Sequence, residues 1–316
     1  MPAKPIFLIA LAAACSSPSR GGGGSAGDGA TTLATIAGWS AGVPARLAAT
    51  DTCIVVGQAH ALTCAPVAGG AARPLATLAD SLVSLIGAGA SVVASTTPDD
   101  FGPSDATMAV ARVDADGSVA QLIDTAAGFG PTGLARFGSD VVFTTGGDAD
   151  LDAVPLAGGS ARNLGFDSGN FGDLAIVGTT AYYVNEPSIY AHDLTRATPS
   201  EPGDDAVATG GDFEAPVLAT DGTTLVAAGM AIEATGTDVI ALPAGPTLAP
   251  LPVGAGRLAV ADGTAYVIAG SDLHAIDLAD GTESTAVAGE SPVDVLATAD
   301  QLIWLTADGR LRAQAR

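Results

Sequence analysis

Leu258 to Gly281, LAVADGTAYVIAGSDLHAIDLADG, divides into three short strands separated by turns. Leu258 to Ala261 form an apolar strand, and Asp262-Gly263 supply a two-residue turn in which positive φ is tolerated. Ala265 to Ala269 make a second strand. Leu273, Ala275 and Leu278 lie in a third, which ends at Ala279-Asp280-Gly281, and Thr282 to Ala288 add a fourth rich in Thr, Val and Ala.

The same pattern recurs along most of the chain. Aligning each Leu that opens a strand, followed by a turn and an apolar run, yields seven units beginning at Leu47, Leu85, Leu134, Leu174, Leu218, Leu258 and Leu296. Their spacings of 38, 49, 40, 44, 40 and 38 residues lie near the ~40–45 of a four-stranded propeller blade. Second turns recur as well, at Ala68-Gly69-Gly70, Ala115-Asp116-Gly117 and Ala157-Gly158-Gly159. The fold expected is therefore all-β, a seven-bladed β-propeller over 31–316; the long second unit leaves six or eight blades open. The seventh unit stops at Arg316 with room for three strands, and Thr31 to Ala37, TTLATIA, is an orphan strand before the first unit. Pairing it beside the last strand closes the ring and removes the open edges of the first and last blades.

The run Asp272 to Glu283, DLHAIDLADGTE, resembles the repeat of bacterial β-propellers of the PQQ-like or TolB-like type, in which an apolar strand ends at a Gly turn. The resemblance covers roughly Thr31 to Arg316 and implies an architecture more than an activity, because propellers host sensors, scaffolds, hydrolases and dehydrogenases alike.

Before the propeller, Lys4 and the apolar run Ile6 to Ala14 precede Cys15, and this run is too short to span a bilayer. Leu11-Ala12-Ala13-Ala14-Cys15 resembles a bacterial lipoprotein signal, which implies a signal peptide over 1–15 with lipidation at Cys15; the alternative is an ordinary signal peptide with a chance Cys. Residues 16–30, SSPSRGGGGSAGDGA, are expected to be a disordered Ser/Gly-rich tether. Acyl chains contribute about 0.8 kcal/mol per buried CH₂, so such an anchor holds stably. Ser16, where Asp signals inner-membrane retention in the best-known sorting rule, points to an outer-membrane lipoprotein facing the periplasm or the cell surface.

Cys53 and Cys64 fit an oxidising compartment. A two-residue loop at Gln58-Ala59 pairs Gly57 with His60 and places Cys53 opposite Cys64, so a cross-strand disulfide is expected, worth about 3 kcal/mol in the chain-entropy model. Two buried free thiols are the alternative.

Without Lys4 the chain carries eleven arginines against 34 acidic residues (11 − 34 = −23), a surface that repels nucleic acid and anionic headgroups. General acidity that keeps an Ala/Gly/Val-rich chain soluble is the simpler explanation. Trp39, Phe129, Phe166, Phe171 and Phe213 fall in interblade loops and Phe101 in a long loop between second and third strands, all on the face where propellers usually take ligands. With Asp167, Asp173, Asp212, Glu214, Glu290 and Asp294 among them, they form a candidate face for an envelope protein, a peptide or a glycan, or else wedges between blades.

Asp99, Asp100 and Asp105, and likewise Asp148, Asp150 and Asp152, could offer oxygens to calcium, although solvated loops explain them as well and no EF-hand loop is present. His60, His192 and His274 lack the spacing of a metal site or a catalytic triad. No cofactor or catalytic residue is expected. The function expected is a monomeric, lipid-anchored binding or scaffold module. The alternative is a calcium-assisted, lactonase-like propeller hydrolase, and an axis free of clustered carboxylates favours the first.

Overall fold

A computed structural model describes residues 29–99, 108–125, 133–145, 150–166, 171–185, 188–196, 206–208, 214–230, 237–242, 247–251 and 255–316. Its strands form seven four-stranded antiparallel sheets. The first blade runs β2 (Ala45–Ala49), β3 (Cys53–Gln58), β4 (Ala61–Pro66) and β5 (Arg73–Thr77), in that spatial order. Five blades repeat the order: β6 to β9 within 81–125, β10 to β13 within 134–166, β14 to β17 within 171–208, β18 to β21 within 214–251 and β22 to β25 within 255–287.

The last blade is β26 (Pro292–Ala297), β27 (Gln301–Thr306) and β28 (Arg310–Ala315), completed by β1 (Thr31–Thr35) from the other end of the propeller sequence. Thr31 lies opposite Ala313 and Thr35 opposite Arg310, so the two ends of the propeller are hydrogen-bonded into one sheet. The ring closes at seven blades, as the repeat predicts.

Closure follows from where the apolar residues sit. Second strands carry unbroken buried runs, Cys53 to Gly57 in β3, Ala265 to Ala269 in β23 (Thr264–Ala269) and Leu302 to Thr306 in β27, because blades cover both of their faces. Fourth strands such as β5 and β25 (Glu283–Val287) are largely exposed and form the outer rim. The buried side chains divide into seven clusters, each shared by two neighbouring blades. Leu47, Ile54, Ile303 and Leu311 join the last blade to the first; Val55, Leu62, Leu85 and Val92 join the first to the second. Tyr266, Leu273, Val295 and Trp304 join the sixth to the seventh, and the remaining four junctions are built the same way. Each large apolar side chain so buried contributes about 1.5–3 kcal/mol, and one blade alone has no partner for either face.

The amino-terminal segment continues past β1 over the β27–β28 turn. Ile36 N–H donates to Gly309 O at 2.9 Å and the Trp39 indole N–H to Ala307 O at 2.8 Å. Gly309 has φ of +80°, and a Cβ there would lie 2.4 Å from the Trp39 ring, so only glycine seats that ring.

Asp262 and Gly263 both take positive φ, 47° and 74°, as the turn in the founding repeat requires. The first hairpin differs from its expected register. Gln58 pairs with Ala61 around an Ala59-His60 loop, with Ala59 at φ 48°, so Cys53 faces Pro66 and Cys64 faces Val55. The Cys53–Cys64 disulfide forms all the same, along the diagonal, with Cα atoms 5.4 Å apart, inside the core between the first two blades. A bridge needs Cα atoms within about 7 Å, which this diagonal pair satisfies.

Candidate functional site

The first strand of each blade is the innermost, so one of its edges has no strand partner and faces the propeller axis. The residues just before the repeated apolar position form a ring there: Arg46, Ser84, Gly133, Asp173, Val217, Arg257 and Asp294. The seventh unit is therefore in register at Val295, one residue before the expected Leu296. Asp294 bonds its own Val295 N–H and the first blade's Leu47 N–H, just as Asp173 bonds Leu174 N–H and Leu218 N–H of the next blade.

In five inner strands the ladder shifts register at or just before the ring: β6 (Ser81–Ala88), β14 (Phe171–Val177), β18 (Glu214–Thr220), β22 (Ala255–Ala261) and β26. Such bulges re-aim side chains and commonly border functional sites.

Ring groups pin blades together at the axis. Asp294 Oδ2 accepts Leu47 N–H at 2.6 Å and Asp173 Oδ2 accepts Leu218 N–H at 2.9 Å, which satisfies inner-edge donors that no strand reaches. Arg46 of the first blade donates from Nε to Val83 O of the second at 3.0 Å, and from Nη1 to Ala45 O. Beside Gly133, the Thr144 hydroxyl accepts Gly133 N–H and donates to Gly172 O of the fourth blade. A side chain at Gly133 would collide with Leu174, its Cβ 2.6 Å from that of Leu174.

Arg46, Ser84, Asp173, Arg257 and Asp294 line one axial cavity of about 370 Å³, together with Arg136 of β10 (Leu134–Phe137). Three of the chain's eleven arginines thus meet two of its 34 acids, giving the cavity a positive formal balance in a chain of net charge −22. Burial pushes the Asp173 and Asp294 carboxyls above the ordinary range, against the attraction of Arg257 and Arg46 and the amide bonds they accept. Burial, then repulsion from Arg257, lowers the Arg46 guanidinium to about 10, which leaves it cationic at neutral pH. Among the described groups, Arg257 has no hydrogen-bond or ion-pair partner within contact distance, although it lines the cavity.

The residues singled out in sequence are distributed differently from that expectation. Asp173 and Asp294 belong to inner strands and face the axis instead of the interblade loops, so the axis does carry carboxylates. Glu290 accepts the Trp304 indole N–H at 3.0 Å and pairs with Arg312 at 3.0 Å inside the last blade. Trp39 packs on the closure seam. Phe166 ends β13 (Arg162–Phe166) and Phe171 opens β14, so both occupy strand ends instead of loop interiors. Cys15, Phe101, Phe129 and Phe213 lie outside the described residues, as do Asp100, Asp105, Asp148, Asp167 and Asp212.

Asp99 accepts bonds from Ser81 and from His60, and these, Ser81 foremost, hold its carboxyl below the ordinary range. Asp150 and Asp152 sit within β12 (Asp150–Pro155). His274 pairs with Glu283 at 2.7 Å and His192 is buried in the fourth blade, so the three histidines stand apart. Among the described residues no three His, Cys, Asp or Glu side chains converge as metal ligands.

No protein-family model and no curated relative matches this sequence. Solved structures do resemble the fold. Virginiamycin B lyase from Staphylococcus aureus aligns with TM-score 0.64 at 10% identity, over 91% of this chain and 99% of the other. The computationally designed Ika8 protein aligns with TM-score 0.64 at 12% identity, over 90% and 99%. BamB from Moraxella catarrhalis aligns with TM-score 0.55 at 14% identity, over 86% and 84%. At such identities the likeness establishes the β-propeller fold and carries no activity with it.

Proposed function

We propose that this chain is a lipid-anchored β-propeller of the bacterial cell envelope, acting as a binding or scaffold module on the outer membrane. Cys15 after a short apolar run supports the anchor, and a disulfide at Cys53–Cys64 suits an oxidising compartment outside the cytoplasm. The binding role rests on one observation, the charged axial cavity carried on rigid inner strands. A calcium-assisted hydrolase needs several oxygens free to converge on the ion. Asp173 and Asp294 instead give both oxygens to backbone amides and lie among arginines, which favours recognition over metal chemistry.

The anchor is tested by labelling cells with a radioactive fatty acid and fractionating membranes, for wild type and Cys15→Ala. The expected result is label in the wild-type band and membrane retention that both vanish in the variant; an unlabelled wild type removes the anchor. The module is tested by crosslinking in envelope preparations, where a protein, peptidoglycan or glycan partner is expected to be recovered with the anchored protein. A calcium-induced rise in thermal stability with hydrolysis of a lactone panel would instead support the enzyme.

A further inference from the structure

The axial ring combines three features that the fold itself does not require. Among the described residues Arg257 lines the cavity with no hydrogen-bond or ion-pair partner within contact distance, Arg46 has no bond from Nη2, and three arginines line the cavity in a strongly acidic chain. Burial desolvates Arg46, whose Nε and Nη1 are taken by carbonyls, and a guanidinium's planar fork matches carboxylate and phosphate oxygens. Arg257 of the sixth blade and Arg46 of the first flank Asp294 of the seventh, so the two arginines face the axis from either side of one blade. A volume of about 370 Å³ lies in the range of small-molecule sites.

We propose that the axial cavity is a receptor for a small oxyanion-bearing ligand, a carboxylate or a phosphate, held between Arg257 and Arg46. It deepens the binding-module reading by naming a ligand class, and it stands apart from the anchor and from any macromolecular partner of the loops. Asp173 and Asp294 act as selectivity elements. Their charge repels large polyanions, while their backbone bonds fix the strands that aim the arginines. The charged residues lining the cavity are Arg46, Arg136, Arg257, Asp173 and Asp294, of which Arg136 is exposed and donates from Nε to Gly138 O at 3.0 Å.

The test is calorimetric titration of the purified, disulfide-intact chain with inorganic phosphate and with citrate, at ionic strength matched with sodium chloride. Saturable binding at one site is expected, with affinity falling about tenfold or more in Arg257→Gln, which removes a bidentate, charge-assisted contact. Arg257→Lys, which keeps the charge without the fork, is expected to bind more weakly than wild type and serves if the Gln variant does not fold. Phosphate binding alone points to a phosphorylated ligand, and citrate binding alone to a carboxylate. Absence of saturable binding of either probe at millimolar concentration, or equal affinity in wild type and folded Arg257 variants, overturns the proposal. Failure of membrane labelling leaves this outcome untouched, so the two readings fall separately.

Discussion

The closure seam and the axial ring use the same side chain for opposite ends. At the seam, Arg312 pairs with Glu290 at 3.0 Å, lies 5.9 Å from the Trp304 ring centre and reaches Ala30 O from Nη2. Arg316 pairs with Asp262, sits over the Tyr266 ring and donates to the carbonyls of Ala261 and Thr298. Arg310 is paired with Asp308. These guanidiniums have partners within the protein and tie the last strand to the sixth blade and to the amino-terminal segment. On the axis, among the described residues, Arg257 has no hydrogen-bond or ion-pair partner within contact distance and Arg46 bonds only to carbonyls. An arginine paired inside the protein serves the fold, whereas one facing a cavity unpaired is available to a ligand.

The largest expected effect comes from breaking the seam outright. Deleting residues 31–37 leaves β28 as an open edge and uncovers Leu311 and Ala313, so the loss in denaturant unfolding should exceed the ~2–5 kcal/mol of a single buried Leu→Ala change. A cooperative transition at the wild-type midpoint would show that the ring does not need its closing strand. Next, Glu290→Ala strands Arg312, which is 13% exposed, and removes the Trp304 bond. The expected cost is roughly 2–4 kcal/mol, below the fully buried limit because both charges keep some water.

The two regions should also respond to pH with opposite sign. Asp308 at the seam is held below the ordinary range by the Thr306 hydroxyl and then by Arg310, so its contribution is present above that range and lost as pH falls through its lowered value. Asp294 is raised by burial, so the stability linked to it is present below the ordinary carboxylate range and lost as pH rises through its raised value. Asp294→Asn cannot accept both amide bonds and should be less stable than wild type in acid, with the gap narrowing toward neutral pH. Unfolding curves at pH 4 and pH 8 measure that gap, and a gap that widens with pH contradicts the assigned direction. The smallest effect belongs to the first hairpin. Ala59→Gly relieves a left-handed Ala and should stabilise by about 0.5–1 kcal/mol, seen as a raised midpoint at unchanged slope.

Blade type, blade number and closure were legible in sequence because each rests on a pattern the chain repeats: an apolar second strand, a turn with Gly, and a leftover strand at the other end. The disulfide was legible as a pair but not in register, because Ala59 adopts a left-handed φ that moves the loop one residue onward. The axial ring was missed for a related reason. Aligning the seventh unit on Leu296 instead of Val295 put Asp294 one place out of step, and bulges at or just before the ring disguise the common position in five blades. Arg257, immediately before the founding repeat at Leu258, was a signal available from the start. Trp39 illustrates the converse, since an aromatic between a strand and the next blade reads alike as ligand anchor and as wedge until Gly309 is seen beneath it.

The most direct measurement of the difference between seam and axis is the stabilisation added by citrate in denaturant unfolding of wild type, Arg312→Gln and Arg257→Gln. We expect Arg312→Gln to be the less stable protein yet to keep the full citrate increment, and Arg257→Gln to stay closer to wild type while losing it. Equal increments in the two variants would contradict the assignment of one arginine to the fold and the other to a ligand.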